Sequence, residues 1–142
     1  MIIVNEMRIG IVGSRKYTDS LKIKEFIWQL KQKFGNRLTI VSGGQPLGAD
    51  GYAAQWAKYF EINYAEFPPR HFKWNRWCIK HPGWYDQTYR VSHFFTRNSE
   101  IVKYSHKMVF FIPDGIEIEE STGSYDTYKK ANKAGLKIVI LN

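Results

Sequence analysis

The chain has 142 residues, 44% hydrophobic and 24% charged, with 21 Lys and Arg against 13 Asp and Glu for a formal charge of +8. That length suits one globular domain with a core of its own. No apolar run reaches the roughly 20 residues of a bilayer crossing, and Met1 to Met7 lacks the charged and apolar regions of a signal peptide, so a cytoplasmic protein with no membrane partner is expected.

A single cysteine, Cys78, excludes an internal disulfide and fits a reducing compartment. The positive charge favours polyanions, either nucleic acid or a phosphorylated small molecule. In chain order, Met7 to Val12 reads as a first strand, with Gly10 marking a close approach. Ile23, Phe26, Ile27, Leu30 and Phe34 then recur on one helical stripe that Thr18 or Asp19 can cap and Gly35 can end. Leu38 to Val41 is the second strand, and a helix from about Ala49 turns Ala53, Trp56, Ala57 and Phe60 inward. Ile62 to Phe67 is the third strand.

The segment from Pro68 to Tyr85 breaks the alternation. It is long, lacks periodicity and interleaves Arg70, Lys73, Arg76 and Lys80 with Phe72, Trp74, Trp77 and Trp84. Such a loop suits stacking on bases and pairing with phosphates, and equally suits aromatic anchoring onto a core or a dimer interface. A helix is expected from about Asp86 to Tyr104, with Val91, Phe94, Phe95, Ile101 and Val102 as its apolar stripe. Lys107 to Ile112 reads as a strand covered on both faces. Tyr125 to Ala134 is the last helix, stopped by Gly135, and Lys137 to Leu141 is the closing strand.

Strands alternating with helices predict an α/β, Rossmann-like three-layer sandwich with a five-stranded, mainly parallel sheet. Strand order 3-2-1-4-5 places the topological switch between the first and fourth strands, where ligands bind at the carboxyl ends. Three turns of small residues fall at such ends or at helix starts: Gly13-Ser14-Arg15, Ser42-Gly43-Gly44 followed by Gly48-Ala49-Asp50, and Ser121-Thr122-Gly123-Ser124. Unpartnered amides and the helix dipole make these junctions suited to an anion; ordinary tight turns use the same residues.

Asn98 lies on the apolar stripe of its helix, where an unpaired amide would cost about 1 to 3 kcal/mol. It either faces the ligand crevice, beside Arg97 as a phosphate fork, or ties its helix to backbone. Asp50 can accept from ribose hydroxyls, act as a base or simply cap its helix. Among Glu117, Glu119 and Glu120, a buried carboxyl can serve as general acid or base, whereas an exposed acidic loop cannot. No dinucleotide fingerprint or Walker lysine is present, and His71, Cys78, His81 and His93 match no zinc-finger spacing. No cofactor and no metal are therefore expected.

Taken together, the turns with Trp56-Ala57, Arg97-Asn98 and Asp126 resemble the ordered motifs of the SLOG superfamily, in its YspA and YpsA-related branch, from Arg8 to Leu141. Relatives include Lonely-guy enzymes and DprA. Three departures stand out: Gln45-Pro46-Leu47 puts three residues between Gly44 and Gly48 where the pattern has two, Ile101 replaces Met, and Ser124 replaces Thr. The Lonely-guy signature, a Pro before its Gly pair and a Glu after its Gly-Thr, is absent.

The resemblance implies a nucleotide or nucleotide-derived ligand, such as an ADP-ribose-, NAD- or nucleoside-phosphate-like compound. The ligand contacts it implies are Gly13, Ser14, Arg15, Ser42, Gly43, Gly44, Gly48, Asp50, Arg97, Asn98 and Ser121 to Ser124 (Ser121, Thr122, Gly123, Ser124), in a homo-oligomer. Hydrolysis of an N-glycosidic bond would fall to Asp50, Glu119 or Glu120. Two other readings stay open: a single-stranded nucleic-acid binder like DprA, and a sensor or sponge of a nucleotide signal without turnover.

Overall fold

The computed structural model describes residues 5–142, so part of the Met1–Met7 leader reading lies outside the described residues. Five strands form the frame: β1 (Met7–Gly13), β2 (Leu38–Ser42), β3 (Asn63–Glu66), β4 (Lys107–Phe111) and β5 (Lys137–Leu141). They pair in parallel in the order β3-β2-β1-β4-β5. The register Gly10↔Val41 on one side of β1 and Gly10↔Met108 on the other makes β1 the centre of the sheet. Its C-terminal tip is therefore the switch point that the alternation of strands and helices predicts.

Side chains alternate across each strand, and this divides the core in two. Ile9 and Ile11 of β1, Leu38 and Ile40 of β2, and Val109 and Phe111 of β4 face α1 (Ser20–Phe34) and α2 (Gly48–Tyr59), meeting Ile23, Ile27, Ala53 and Ala57. Val12, Val41, Met108 and Phe110 face the other way, toward Ile101 and Val102 of α3 (Ser92–Tyr104) and Ala131 of α4 (Thr122–Lys133). Ile23, Ile27, Ile40 and Phe110 are fully buried, each such aliphatic or aromatic side chain contributing about 1.5 to 3 kcal/mol. Asp19 caps α1 by accepting from the Lys22 amide at 3.1 Å, and Gly35 closes it.

Two boundaries differ from expectation. Helix α3 begins at Ser92, not near Asp86, because Asp86 sits at φ +61° and residues 86 and 87 turn back to pair with the preceding loop, Asp86 N–H donating to the Phe72 carbonyl at 2.8 Å and Gln87 N–H to that of Arg70 at 3.0 Å. Val91 and Phe95, assigned to the apolar stripe, are consequently exposed. Helix α4 starts three residues earlier than periodicity suggests, at Thr122, so its first turn is made of the small residues themselves.

The aromatic loop is half anchor and half surface. Glu66 and Cys78 form a parallel bridge beside β3, with Glu66 N–H donating to the Trp77 carbonyl at 3.0 Å. The Glu66 carboxylate accepts from the Tyr64 hydroxyl at 2.7 Å and from the Asn75 amide. The loop thus covers the β3 edge, a common way of protecting an unpaired strand. Trp74 and Trp84 remain exposed. No helix among the described residues is long and apolar enough to cross a membrane.

Candidate ligand-binding site

A cavity of about 710 Å³ opens at the β1/β4 switch point. Gly13, Ser14, Arg15 and Lys16 form one side as β1 ends. Ser121, Thr122, Gly123 and Ser124 form the opposite side as α4 begins, and Asp50, Arg97 and Asn98 lie between them. Phe94, Phe95, Val91, Ile101 and Ile116 supply apolar walls. The cavity therefore joins cationic and amide donors to a greasy slot, the usual composition of a small-molecule site.

The β1 tip is held by backbone bonds on both sides. Ser14 N–H donates to the Phe111 carbonyl at 3.2 Å, and the Ser14 carbonyl accepts from Ala49 N–H at 3.2 Å. Gly13 is required by close approach: a Cβ there would overlap the Phe111 carbonyl oxygen and lie 2.9 Å from the Ala49 methyl. At the other side, Ser121 offers no side-chain cap to α4, whose first bond runs from Tyr125 N–H to the Ser121 carbonyl at 2.7 Å. The amides of the first turn, from Thr122 to Ser124, have no carbonyl earlier in the helix to bond, and, its own turn of helix aside, no described atom lies within 4 Å of where a Gly123 Cβ would be.

The charged floor comes from α2 and α3. Asp50, in the first turn of α2, accepts from Gly13 N–H at 3.2 Å. Burial pushes its carboxyl up to about 6, partly opposed by the Arg97 charge, the Gly13 and Gly43 amides and the Arg15 charge. Arg97 is itself buried; that burial pulls its value down, and the Asp50 charge acts against the shift. Its Nη1 donates to the Gly43 carbonyl and its Nε to Asn98 Oδ1 at 3.0 Å. Asn98 Nδ2 in turn donates to Asp126 Oδ2 at 3.1 Å, and Lys130 pairs with the same carboxylate at 2.7 Å. Asn98 thus lines the cavity and ties α3 to α4 through Asp126.

The β2 turn has a different place. Ser42, Gly43, Gly44 and Gly48 are not on the cavity wall. The Ser42 hydroxyl donates to the Asp50 carbonyl at 3.2 Å, and the space beside Gly43 holds Arg97 and Asp50, whose Oδ2 would lie 2.7 Å from a Gly43 Cβ. Gly48, at φ +69°, packs against the Ser14 carbonyl and Arg15 backbone. These small residues let the protein's own side chains in and stand behind the wall that a ligand would touch.

The acidic loop divides as well. Ile118–Glu120 is a short 3₁₀ turn in which Glu119 is exposed and off the wall, while Glu120 reaches the wall with its carboxylate accepting from Glu117 N–H at 3.0 Å. Asp50 alone of the three proposed acids is buried in the cavity floor. Among the described residues no group of three or more His, Cys, Asp and Glu could hold a metal.

Sequence reasoning missed Lys16 and Gln45. A guanidinium has no acceptor, so the Gln45 amide oxygen must face Arg15; in that orientation it accepts from Arg15 Nε and Nη2, both at 3.2 Å. The Arg15 guanidinium also lies 5.3 Å from the Phe94 ring centroid. The signal was present in the longer turn that Gln45 begins, but nothing in the sequence says where its side chain reaches.

Fold and cavity together define a Rossmann-like α/β domain with a polar-and-apolar site at its topological switch. Residues 7–74 match the model of the YAcAr family, described as YspA, cpYpsA-related SLOG family, so over that stretch the chain is similar to SLOG domains of this branch. No curated protein matches the chain.

Three solved structures share the fold. A molybdenum cofactor binding protein from Rippkaea orientalis is 21% identical with a TM-score of 0.66, over 96% of this chain and 77% of that one. DNA processing protein A from Helicobacter pylori, described for its single-stranded DNA binding mode, is 20% identical with a TM-score of 0.71, over 97% and 66%. The Moco carrier protein from Chlamydomonas reinhardtii is 16% identical with a TM-score of 0.62, over 96% and 76%.

Proposed function

We propose that the cavity binds a phosphorylated nucleotide or nucleotide-derived ligand, its phosphate on the first turn of α4 and its planar ring among Phe94, Phe95 and Ile116. The observation that carries this is the uncapped N-terminus of α4 facing Arg15 and Lys16 across a cavity of about 710 Å³ with an apolar end. Helix amides and cations supply the anion site, and the aromatic wall supplies the stacking surface. The molybdenum cofactor named for two neighbours extends the ligands worth testing.

ADP-ribose, NAD, nucleoside monophosphates and molybdenum cofactor are to be titrated by thermal shift, where a ligand at 100 times its Kd adds about 2.7 kcal/mol of stability. A shift that disappears with the dephosphorylated ligand supports the reading; no shift with any of them overturns it. Product chromatography in the same samples separates a sensor or sponge from a hydrolase. Cleavage of an N-glycosidic bond would rest on Asp50 as acid or base, since Glu119 lies off the wall and Glu120 is turned onto the Glu117 amide.

A second reading, single-stranded nucleic-acid binding, is favoured by the outer side of the aromatic loop. Exposed Trp84 carries Arg70 at 4.2 Å and Lys80 at 4.9 Å from its ring, and Trp74 stands exposed nearby in the chain. The DNA processing protein among the neighbours is consistent with it. Affinity for an oligonucleotide should fall steeply with salt and weaken on Trp74→Ala. Absence of binding at low salt removes this reading and leaves the cavity reading intact.

A further inference from the structure

We infer that His71 and His93 form a proton-operated latch that fastens the neck of the aromatic loop to α3 at neutral pH and releases it on acidification. The two Nδ1 atoms are 3.1 Å apart, and the ring centroids are 5.3 Å apart with planes 21° from parallel. That centroid separation is close to the N···N distance plus one ring radius at either end. The imidazoles therefore meet end to end, nitrogen to nitrogen, and not face to face.

This geometry holds one hydrogen. With one ring carrying its hydrogen on Nδ1 and the other presenting a lone pair, an N–H···N bond of ordinary length forms. A proton on both nitrogens sets N–H against N–H, and the bond becomes a repulsion. His93 is buried, and half-buried His71 packs against the rings of Phe72, Tyr89 and Phe94, with centroids 5.2, 4.7 and 5.2 Å away.

The charges around the pair are set against a second proton. From α3, one turn beyond His93, the Arg97 guanidinium opposes a proton on His71. Asp50, packed behind Arg97 from α2, accepts from the Gly13 amide. Glu100 on α3 pairs with Lys80 at 3.8 Å. On the loop, Arg70 lies over Trp84 and Arg90 is exposed. Asp86 is the sole acid between Glu66 and Glu100 in the chain, and it is exposed. Burial, then His93, then Arg97 lower the His71 value from 6.5. A lowered value means the unfastened form takes up protons more readily, so closure is complete above that ordinary value and is lost as pH falls below it.

The latch sits where release would matter. Residues 70–72 and 86–87 are the two sides of the loop's neck, joined by the Asp86 and Gln87 backbone bonds. His71 is in that neck, and His93 stands beside Phe94 on the cavity wall. Opening frees the neck from α3 and loosens the Val91 to Phe95 side of the cavity.

Hydrogen exchange of the whole chain in EDTA tests this at about pH 7.5 and about pH 5, with rates corrected for the intrinsic pH effect. Amides of Phe72, Asp86 and Gln87 should exchange about tenfold faster at the lower pH, while those of β1 and β4 hold steady. His71→Gln should show the fast rate at both values. Histidine NMR on the unaltered protein provides a readout that needs no variant: one imidazole of the pair should stay neutral well into the acidic range. Equal corrected rates at both pH values, an unchanged pH response in His71→Gln, or two independent titrations at the ordinary histidine value would overturn the latch.

Discussion

The glycine turn after β2 and the glycine turn that opens α4 are written in nearly the same residues and do opposite things. Ser42-Gly43-Gly44 is filled from within by Arg97 and Asp50, whereas Ser121-Thr122-Gly123-Ser124 faces a cavity. The difference lies in what stands opposite. Helix α3 lays a long buried side chain across the first turn, whereas the second opens onto the cavity, with exposed Arg15 and Lys16 on its opposite wall. Small residues permit close approach; the neighbouring element decides whether protein or ligand makes it.

Adding a methyl group to each turn exposes the contrast directly. Gly13→Ala, which forces a Cβ onto the Phe111 carbonyl at the junction of β1 and β4, should cost about 3 kcal/mol in urea unfolding, with Gly43→Ala next at about 2 kcal/mol as Arg97 and Asp50 are displaced. Gly123→Ala has open space around it and should leave stability within about 0.5 kcal/mol, while weakening the thermal shift from a phosphorylated ligand. A Gly43→Ala protein as stable as the parent would show that the β2 turn is not packed as described.

A pH series sharpens the same comparison through Asp50. Its carboxyl rises from 3.8 when unfolded to about 6 when folded, so the folded state binds the proton more tightly. That stabilises the protein fully below pH about 4 and is lost as pH climbs through 6, a change of about 3 kcal/mol. Asp50→Asn should remove this fall when the two unfolding curves are subtracted. Arg97→Met should steepen it by taking away the opposing positive charge. The latch at His71 has the opposite sign, losing stability as pH drops, so the Asp50 difference is read best in the His71→Gln background.

These residues show how far the sequence could be read. The five strands, their order and the switch point followed from apolar periodicity and small-residue punctuation, because a parallel sheet must bury both faces and cross over in one hand. Gly13 to Arg15, Asp50, Arg97, Asn98 and Ser121 to Ser124 do converge on one cavity. Ser42, Gly43, Gly44, Gly48 and Glu119 lie off that cavity's wall, and local composition is silent about which side chain from 54 residues away fills the Gly43 turn. The start of α3 was misplaced for a related reason: Val91, Phe94 and Phe95 fit a helical stripe, but backbone pairing of residues 86 and 87 with the loop takes precedence. The spacing of His71 and His93 along the chain matches no zinc finger, and only their meeting in space gives each a partner.

The smallest effect expected concerns Gln45, the residue that the longer β2 turn adds to the site. By accepting from Nε and Nη2 of Arg15, its amide occupies one edge of the guanidinium and leaves the Nη1 side free for an anion. Gln45→Leu keeps the turn but releases that edge, and Arg15 must then be ordered by the ligand itself. A lost hydrogen bond to the charged guanidinium, at about 1.5 kcal/mol, corresponds to roughly tenfold weaker binding of a phosphorylated ligand, with folding stability nearly unchanged. Gln45→Glu should keep Arg15 in place and still weaken the anion, because the new charge competes for the same guanidinium. Equal affinity in Gln45→Leu and the parent, measured by calorimetry, would mean that Arg15 binds from an orientation the turn does not set; loss of affinity in Gln45→Glu alone would then assign the effect of this position to charge.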